Sequence, residues 1–376
     1  MIWAPRWALR QASTRWTGTE AVASRRGFIA GLLATGLAPA ATWADAGAPS
    51  WLSAAGLPDG GFVLCGIGPD LNLRFRIALP GRGHAAAAHP TRPEAVAFAR
   101  RPGTFAVVID CAAGRQTAHL AAPEGRHFYG HGAFSLDGRW LYTTENDYDA
   151  ARGVIGVWDA AHGYARAGEF GSGGIGPHEI RRTPGRETLV VANGGIETHP
   201  ASGRTKLNIP LMRPNLSYIE DGTVVDSAAL PGSMHKGSIR HIAVSALGEV
   251  AFGLQWQGGE DGPALVGLHR RGTPPRLCTA SEADLRAMQG YVGSVAFTAG
   301  QRDVAVTSPR GGLVQTYSVA DARHTASTSI RDACGVAPCR GGLLVASGTG
   351  ALQRIGQEAA RADHAALMWD NHLVAV

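Results

Sequence analysis

The sequence predicts an all-β chain: a seven-bladed β-propeller closed by pairing its C-terminal strand with N-terminal strands. Three observations predict it. Strand-like runs separated by Gly, Pro, Asp and Asn turns fill the chain after residue 50, with no long amphipathic helical pattern among them. One pair of positions, an anchor and a turn glycine seven residues later, recurs along the chain. The last repeat lacks strands that the start of the repeating region supplies.

The anchors are His84, His131, His178, His241, Gly293, Cys334 and His372, spaced by 38 to 63 residues. That spacing suits a four-stranded propeller blade. Gly138, Gly185, Gly248, Gly300 and Gly341 each stand seven residues after an anchor, and a Pro/Thr turn replaces the glycine after His84. Behind each turn runs a second apolar strand: "EAVAFA", "RWLYTTE", "ETLVVAN", "EVAFGLQ", "RDVAVTS" and "GLLVASG". A third follows, as in "TFAVVID", "VIGVWDA" and "ALVGLHR", and a more polar fourth, as in "ARAGEF". His372 has a single strand behind it, while "SWLSAAG", "GFVLCGIG" and "LNLRFRIALP" stand unassigned near residue 50. Joining them completes one blade and leaves no open sheet edge.

In a propeller the first strand of each blade lines the central channel, so the seven anchors form a ring at one channel mouth. Five are His and one is Cys. Neutral imidazole is the commonest metal ligand and thiolate adds a soft one. His84, His131, His178, His241, His372 and Cys334 are therefore the candidate ligands. Such a donor set suits copper or iron, with zinc possible, rather than calcium or magnesium. Three or four would bind one ion, or two ions would share the ring.

Beside the anchors stand Glu179, Arg240, Asp332, Asp370 and Asn371, candidates to orient the imidazoles or bind ligand. Glu179 is also a candidate general base. The loops expected on the same face add Glu145 and Arg310. The longest, an insertion at 193–214, adds Asn193, His199, Arg204 and Lys206. A structureless loop of that length is commonly functional, and this one could cover the channel mouth.

Charged residues make up 17% of the chain and hydrophobic residues 45%, which indicates a globular protein with ample core. The net charge of +5 owes much to arginines in the first 26 residues, so charge does not indicate a nucleic-acid partner. Those arginines lie in a leader: "SRRGFIAGLLATGLAPAATWADAGA", with Arg25 and Arg26 before a short Gly/Ala-rich apolar run and small residues suited to cleavage after Ala44 or Ala46. It resembles the bacterial twin-arginine signal. The division is residues 1–46 as a removed leader and 47–376 as one propeller domain, periplasmic, with no membrane span in the mature chain. The five cysteines leave at least one unpaired, and Cys334 with Cys339 is a conceivable pair. The sequence contains no G-x-S-x-G elbow, P-loop, C-x-x-C or EF-hand loop, and no dinucleotide fingerprint that follows a strand and opens a helix, so no nucleotide cofactor is expected.

The stretches "GRGHAAAAHPTRPEAVAFARRPG", "YGHGAFSLDGRWLYTTEND", "GIGPHEI", "VVANGGIETHP", "SIRHIA", "TSPRGG", "CGVA" and "WDNHL" resemble the bacterial family catalogued as domain of unknown function 1513, over nearly all of the mature chain. Two departures are the alanines after His84, where members more often carry Gly and an aromatic, and "TPGRE", which lacks the usual Asp. The resemblance implies a periplasmic protein encoded near imelysin-type and di-haem peroxidase-like proteins, a setting of iron acquisition. The expected function is metal binding in support of metal acquisition or redox handling. The alternatives are a non-catalytic scaffold that docks an imelysin-like or haem-protein partner, and a lactonase-like hydrolase or oxidoreductase built on the same ring.

Overall fold

A computed structural model describes residues 40–100, 104–203, 205–259 and 263–376. Residues 1–39 of the expected leader lie outside the described residues. Seven antiparallel sheets follow one another in the chain. Blade 2 is Gly83–Ala88, Glu94–Ala99, Phe105–Asp110 and Arg115–Ala121. Blades 3 to 7 repeat that meander, opening with Arg126–Phe134, Pro177–Arg182, Gly237–Val244, Ser294–Phe297 and Ala333–Cys339. Blade 1 is composite. Met368–Trp369 and Val374–Ala375 pair with Trp51–Gly56, which continues into Phe62–Ile67 and Leu73–Leu79. The expected closure by the C-terminal strand is therefore the observed one, and the fold is the seven-bladed propeller. Innermost strands touch from blade 1 round to blade 7, and blade 7 returns to the closing strands.

The sequence pattern explains the layers. Inner strands are sandwiched between neighbouring blades, so "EAVAFA" and "FAVVID" are buried almost throughout. The outermost strand of blade 2, Arg115–Ala121, meets solvent and is mostly exposed. The cores lie between blades: Ile155 of blade 3 packs with Ile180, Leu189 and Val191 of blade 4, and Leu52 and Ile77 of blade 1 pack with Val107 of blade 2. Gly138, Gly185, Gly248 and Gly341 have φ of +65° to +79°, which is why the turn between first and second strands selects glycine. At the Gly300 turn Gln301 takes the left-handed position instead, with φ of +54°.

One feature has no residue-type signature in the sequence. Strand pairing is irregular at nearly every anchor. Register shifts fall between Gly83 and Ala86, Phe128 and Gly132, Pro177 and Glu179, Ile239 and His241, and Ala333 and Val336. The closing strand is likewise interrupted between Trp369 and Val374. A bulge lets two residues oppose one and turns a side chain out of the pleat. In blades 2, 3 and 4 the residues passed over by the pairing include the anchors His84, His131 and His178, and in blade 5 the one passed over is Arg240, beside His241.

The insertion leaves blade 4 between Leu189–Asn193 and Asn215–Glu220. It contains two single 3-10 turns, Pro200–Ser202 and Ile209–Leu211. The Asn208 side chain braces it, accepting from Glu197 N at 2.8 Å and donating to Gly195 O at 2.9 Å. Asn146 of blade 3 donates to Thr198 O at 3.0 Å, and Lys206 donates to Gln257 of blade 5, so the insertion bridges the neighbouring blades on the anchor face. Among the described residues no helix is long and apolar enough to cross a membrane.

Candidate metal centre

The five anchor histidines converge. Neighbouring rings lie 4.6 to 6.2 Å apart between centroids, as in His84 against His372 and His131 against His241. Ligand atoms of His131, Glu179, His241 and His372 lie within 4.8 Å of one another, as do those of His84, His131 and His178. His131 belongs to both groups, so the cluster offers two overlapping ion positions.

Outer partners fix the rings. A carbonyl or carboxylate oxygen only accepts, so the imidazole nitrogen facing it carries the proton. His178 Nδ1 donates to Arg240 O at 2.9 Å, His241 Nδ1 to Glu179 Oε2 at 3.3 Å and His84 Nδ1 to Asp370 Oδ1 at 3.2 Å. In each case Nε2 retains its lone pair. His131 Nε2 and His372 Nε2 are buried without a hydrogen-bond partner. Buried polar atoms are seldom left so, because the lost hydration costs about 1–3 kcal/mol each. Five Nε2 atoms thus remain uncommitted in one small volume, and this donor set fits a metal ion.

Electrostatics favours the ligating, neutral form. Burial, and then the surrounding imidazoles, hold His131 well below the ordinary histidine range. Burial with the Arg240 guanidinium does the same to His178, and burial with His84 and His241 to His372. His241 is also lowered by burial, although Glu179 opposes it.

Two carboxylates support the rings from behind. Burial acts to raise both acids but is overcome. Arg181, His241 and the Ile242 N–H hold Glu179 below its usual value. Glu179 Oε1 is bound by Arg181 Nε at 2.8 Å, and Oε2 accepts from His241 and from Ile242 N at 3.2 Å. With both oxygens engaged it is a poor general base and a good positioning group. Asp370 is held far below the carboxylate range chiefly by His84, then by Arg100 and the Asn371 N–H. Its Oδ2 accepts from Arg82 Nε and Arg100, both at 3.0 Å, and its Oδ1 from Asn371 N at 2.8 Å.

The remaining expected residues divide. Cys334 does not join the imidazoles. Its thiol is pushed up by burial and by Asp332, and it donates to Asp332 Oδ1 at 3.6 Å. Beside it the closing segment packs tightly on blade 7: a Cβ on Gly335 would lie 2.9 Å from Leu373 N. Cys334 and Cys339 are both free, and stand at the two ends of one extended strand, too far apart to bridge. Glu145 lies in a strand of blade 3, where Arg166 binds its two oxygens at 2.9 Å each, and it serves that blade. Asn193 bonds Ser172 and Ser217 inside blade 4. His199 caps the turn at Pro200–Ser202 and faces Asp149 at 3.4 Å. Arg204 lies outside the described residues. Lys206 is pushed down by burial and by Arg240 and Arg310, and Arg310 stacks 4.6 Å over Tyr291. Sequence reasoning missed Arg82, Arg100 and Arg181. Arg82 precedes His84 by two and Arg181 follows Glu179 by two, the spacing that puts strand residues on one face.

A cavity of 170 Å³ bounded by His84, His178, His241, Arg240 and Tyr291 reaches the imidazoles from the insertion side. Further along the same strands a second cavity of 510 Å³ is lined by Arg181, Ala243, Val295, Ala337 and Leu373.

No curated protein matches the chain. Among solved structures, a chain of Kuenenia stuttgartiensis hydrazine synthase superposes with a TM-score of 0.59 at 12% identity, covering 85% of this chain and 96% of that one. At that identity the likeness shows the propeller fold alone. Residues 77–376 match the model of the family described as "Protein of unknown function (DUF1513)", and the chain belongs to that family.

Proposed function

We propose that the five-imidazole cluster holds a transition-metal ion, copper or iron ahead of zinc, and that the protein handles this metal in the periplasm in support of metal acquisition or redox chemistry. The observation that carries the reading is the set of uncommitted Nε2 atoms, two of them buried without partners. Coordination dominated by imidazole nitrogen separates these metals from calcium and magnesium, which take oxygen. The carboxylate and carbonyl groups behind His241, His84 and His178 are the supports that metal-binding imidazoles ordinarily have. Export through the twin-arginine leader in "SRRGFI" would allow the metal to be loaded before the folded chain crosses the membrane.

The test is elemental analysis of protein exported through its own leader and purified without chelator or affinity metal. Near-stoichiometric copper or iron is expected, lost in His131→Ala combined with His241→Ala. Glu179→Gln should weaken the metal about 10- to 100-fold, and Cys334→Ser should leave it unchanged. A folded protein that is metal-free and takes up no Cu, Fe or Zn would overturn the reading.

A further inference from the structure

The two bonds expected for leader cleavage, Ala44–Asp45 and Ala46–Gly47, lie inside a folded turn. Asp45 N donates to Thr42 O at 2.9 Å, Ala46 N to Trp43 O at 3.2 Å, Gly47 N to Ala44 O at 3.0 Å and Ala48 N to Trp43 O at 2.9 Å. Asp45 Oδ2 accepts in return from Thr42 N at 2.7 Å and from the Thr42 hydroxyl at 3.2 Å. The turn is fastened to the propeller. Trp43 Nε1 donates to His89 O of blade 2 at 2.9 Å, and the Trp43 ring packs against the core shared by blades 1 and 2. Ala46 belongs to that core and is 6% exposed. The compact unit that contains the propeller accordingly begins at Thr42.

Proteolysis needs exposed backbone whose hydrogen bonds are free to pair with the enzyme as an extended strand. A chain that crosses the membrane folded presents the turn at Thr42–Ala48 already formed, with both bonds held in it. Leader cleavage also needs small residues at the first and third positions before the bond. The stretch "APAATWADAGA" supplies such a pair upstream of the turn, Ala38 and Ala40. Ala40 and Ala41 are exposed and lie in no strand or turn.

We propose that the leader is removed between Ala40 and Ala41, so that the mature chain keeps Trp43 to pin its N-terminus on blades 1 and 2. Water adds across the Ala40–Ala41 amide in the active site of a signal peptidase, leaving a carboxylate on Ala40 and an amine on Ala41. This processing site rests on the twin-arginine leader and on no metal.

The test expresses the full chain with its own leader in a host that has the twin-arginine pathway, and sequences the N-terminus of the periplasmic product. It should read "ATWAD"; a product that begins "DAGAP" or "GAPSW" would overturn the assignment. Two substitutions separate the bonds. Ala40→Lys puts a long charged side chain directly before the Ala40–Ala41 bond and should stop processing, leaving an exported precursor that added protease reaches in spheroplasts. Ala44 stands first before one alternative bond and third before the other, and it is exposed, so Ala44→Lys tests both at once. It should leave processing unchanged, with a melting curve of the product confirming that it folds. Processing lost in Ala44→Lys, or retained in Ala40→Lys, would overturn the proposal. Arg25→Lys combined with Arg26→Lys should hold the full-length chain in the cytoplasm. If the unaltered chain also stays there at full length, leader and processing site fall together, whereas an exported chain cut elsewhere overturns the processing site alone.

Discussion

His89 shows how firmly one side chain can be committed to a single protonation state. Its Nδ1 accepts from Thr91 N at 3.2 Å and Arg92 N at 3.0 Å, and its Nε2 donates to Gly138 O at 3.1 Å. A second proton would face two N–H donors. Burial, and then Arg92, press its pKa down to about 4 from 6.5. The folded value lies below the unfolded one, so the unfolded chain takes up the extra proton. Stability is therefore complete above about pH 6.5 and is lost as pH falls toward 4, by no more than roughly 3 kcal/mol from this group. His89→Asn keeps an acceptor for the same two amides without the titration. Denaturation at a series of pH values should show the variant losing less stability than the wild type between pH 6.5 and 4. Equal slopes would sink the assignment. The same residue marks the limit of what could be read from sequence. The five ligand candidates were legible because a chemically distinctive residue recurred at one register. His89 sits five residues after His84 and looks no different, and only its contacts make it structural. Cys334 behaved in the opposite way: its register was right, but its thiol turns to Asp332 at the border of another cavity, of 410 Å³, and not to the imidazoles.

The bulge is the element on which the candidate site depends. In blade 3 the irregularity runs from Phe128 to Gly132, and Gly130 within it has φ of +99°. A Cβ on Gly130 would come 2.8 Å from His84 Cδ2 and 3.3 Å from Ala99 O. Gly130→Ala therefore strains the backbone and displaces an imidazole of the neighbouring blade. It should destabilise the protein by about 1–3 kcal/mol, and the folded fraction should lose metal. A variant with wild-type melting and metal content would show that the bulge does not govern the ring. The turn glycines were legible because each meets a left-handed requirement that few residues satisfy. The bulges were not, since extended runs such as "RHFYGHGAF" read as strand whether or not a residue is looped out. Blade 6 fits the rule, for its first strand starts at Ser294, just after Gly293, pairs without a register shift, and contributes no imidazole.

At the scale of the whole molecule, the two ends of the repeating chain meet in blade 1. Trp51 pairs with Ala375 and Leu52 with Val374, and Val376 N donates to Ser50 O at 3.2 Å. Closure and site are one feature, because His372 lies between the two closing strands and Leu373 and Val374 pack in the cores on either side. Deleting residues 372–376 removes an imidazole, opens the edge of Trp51–Gly56 and empties two core positions. Each lost apolar side chain is worth about 1.5–3 kcal/mol, and a domain of this kind has about 5–15 kcal/mol in total. The truncated chain should not accumulate as folded protein. A circular permutant separates pairing from chain order: Val376 is joined to Ser50 by a short glycine linker, and the chain is opened in the exposed turn Ala112–Gly114 between the outer strands of blade 2. Every strand pair and every imidazole is kept. The permutant should fold, melt close to the parent, and bind metal with the same stoichiometry. If it failed while the parent domain folded, strand pairing between the ends would not be what closes the ring, and the placement of His372 would need another cause.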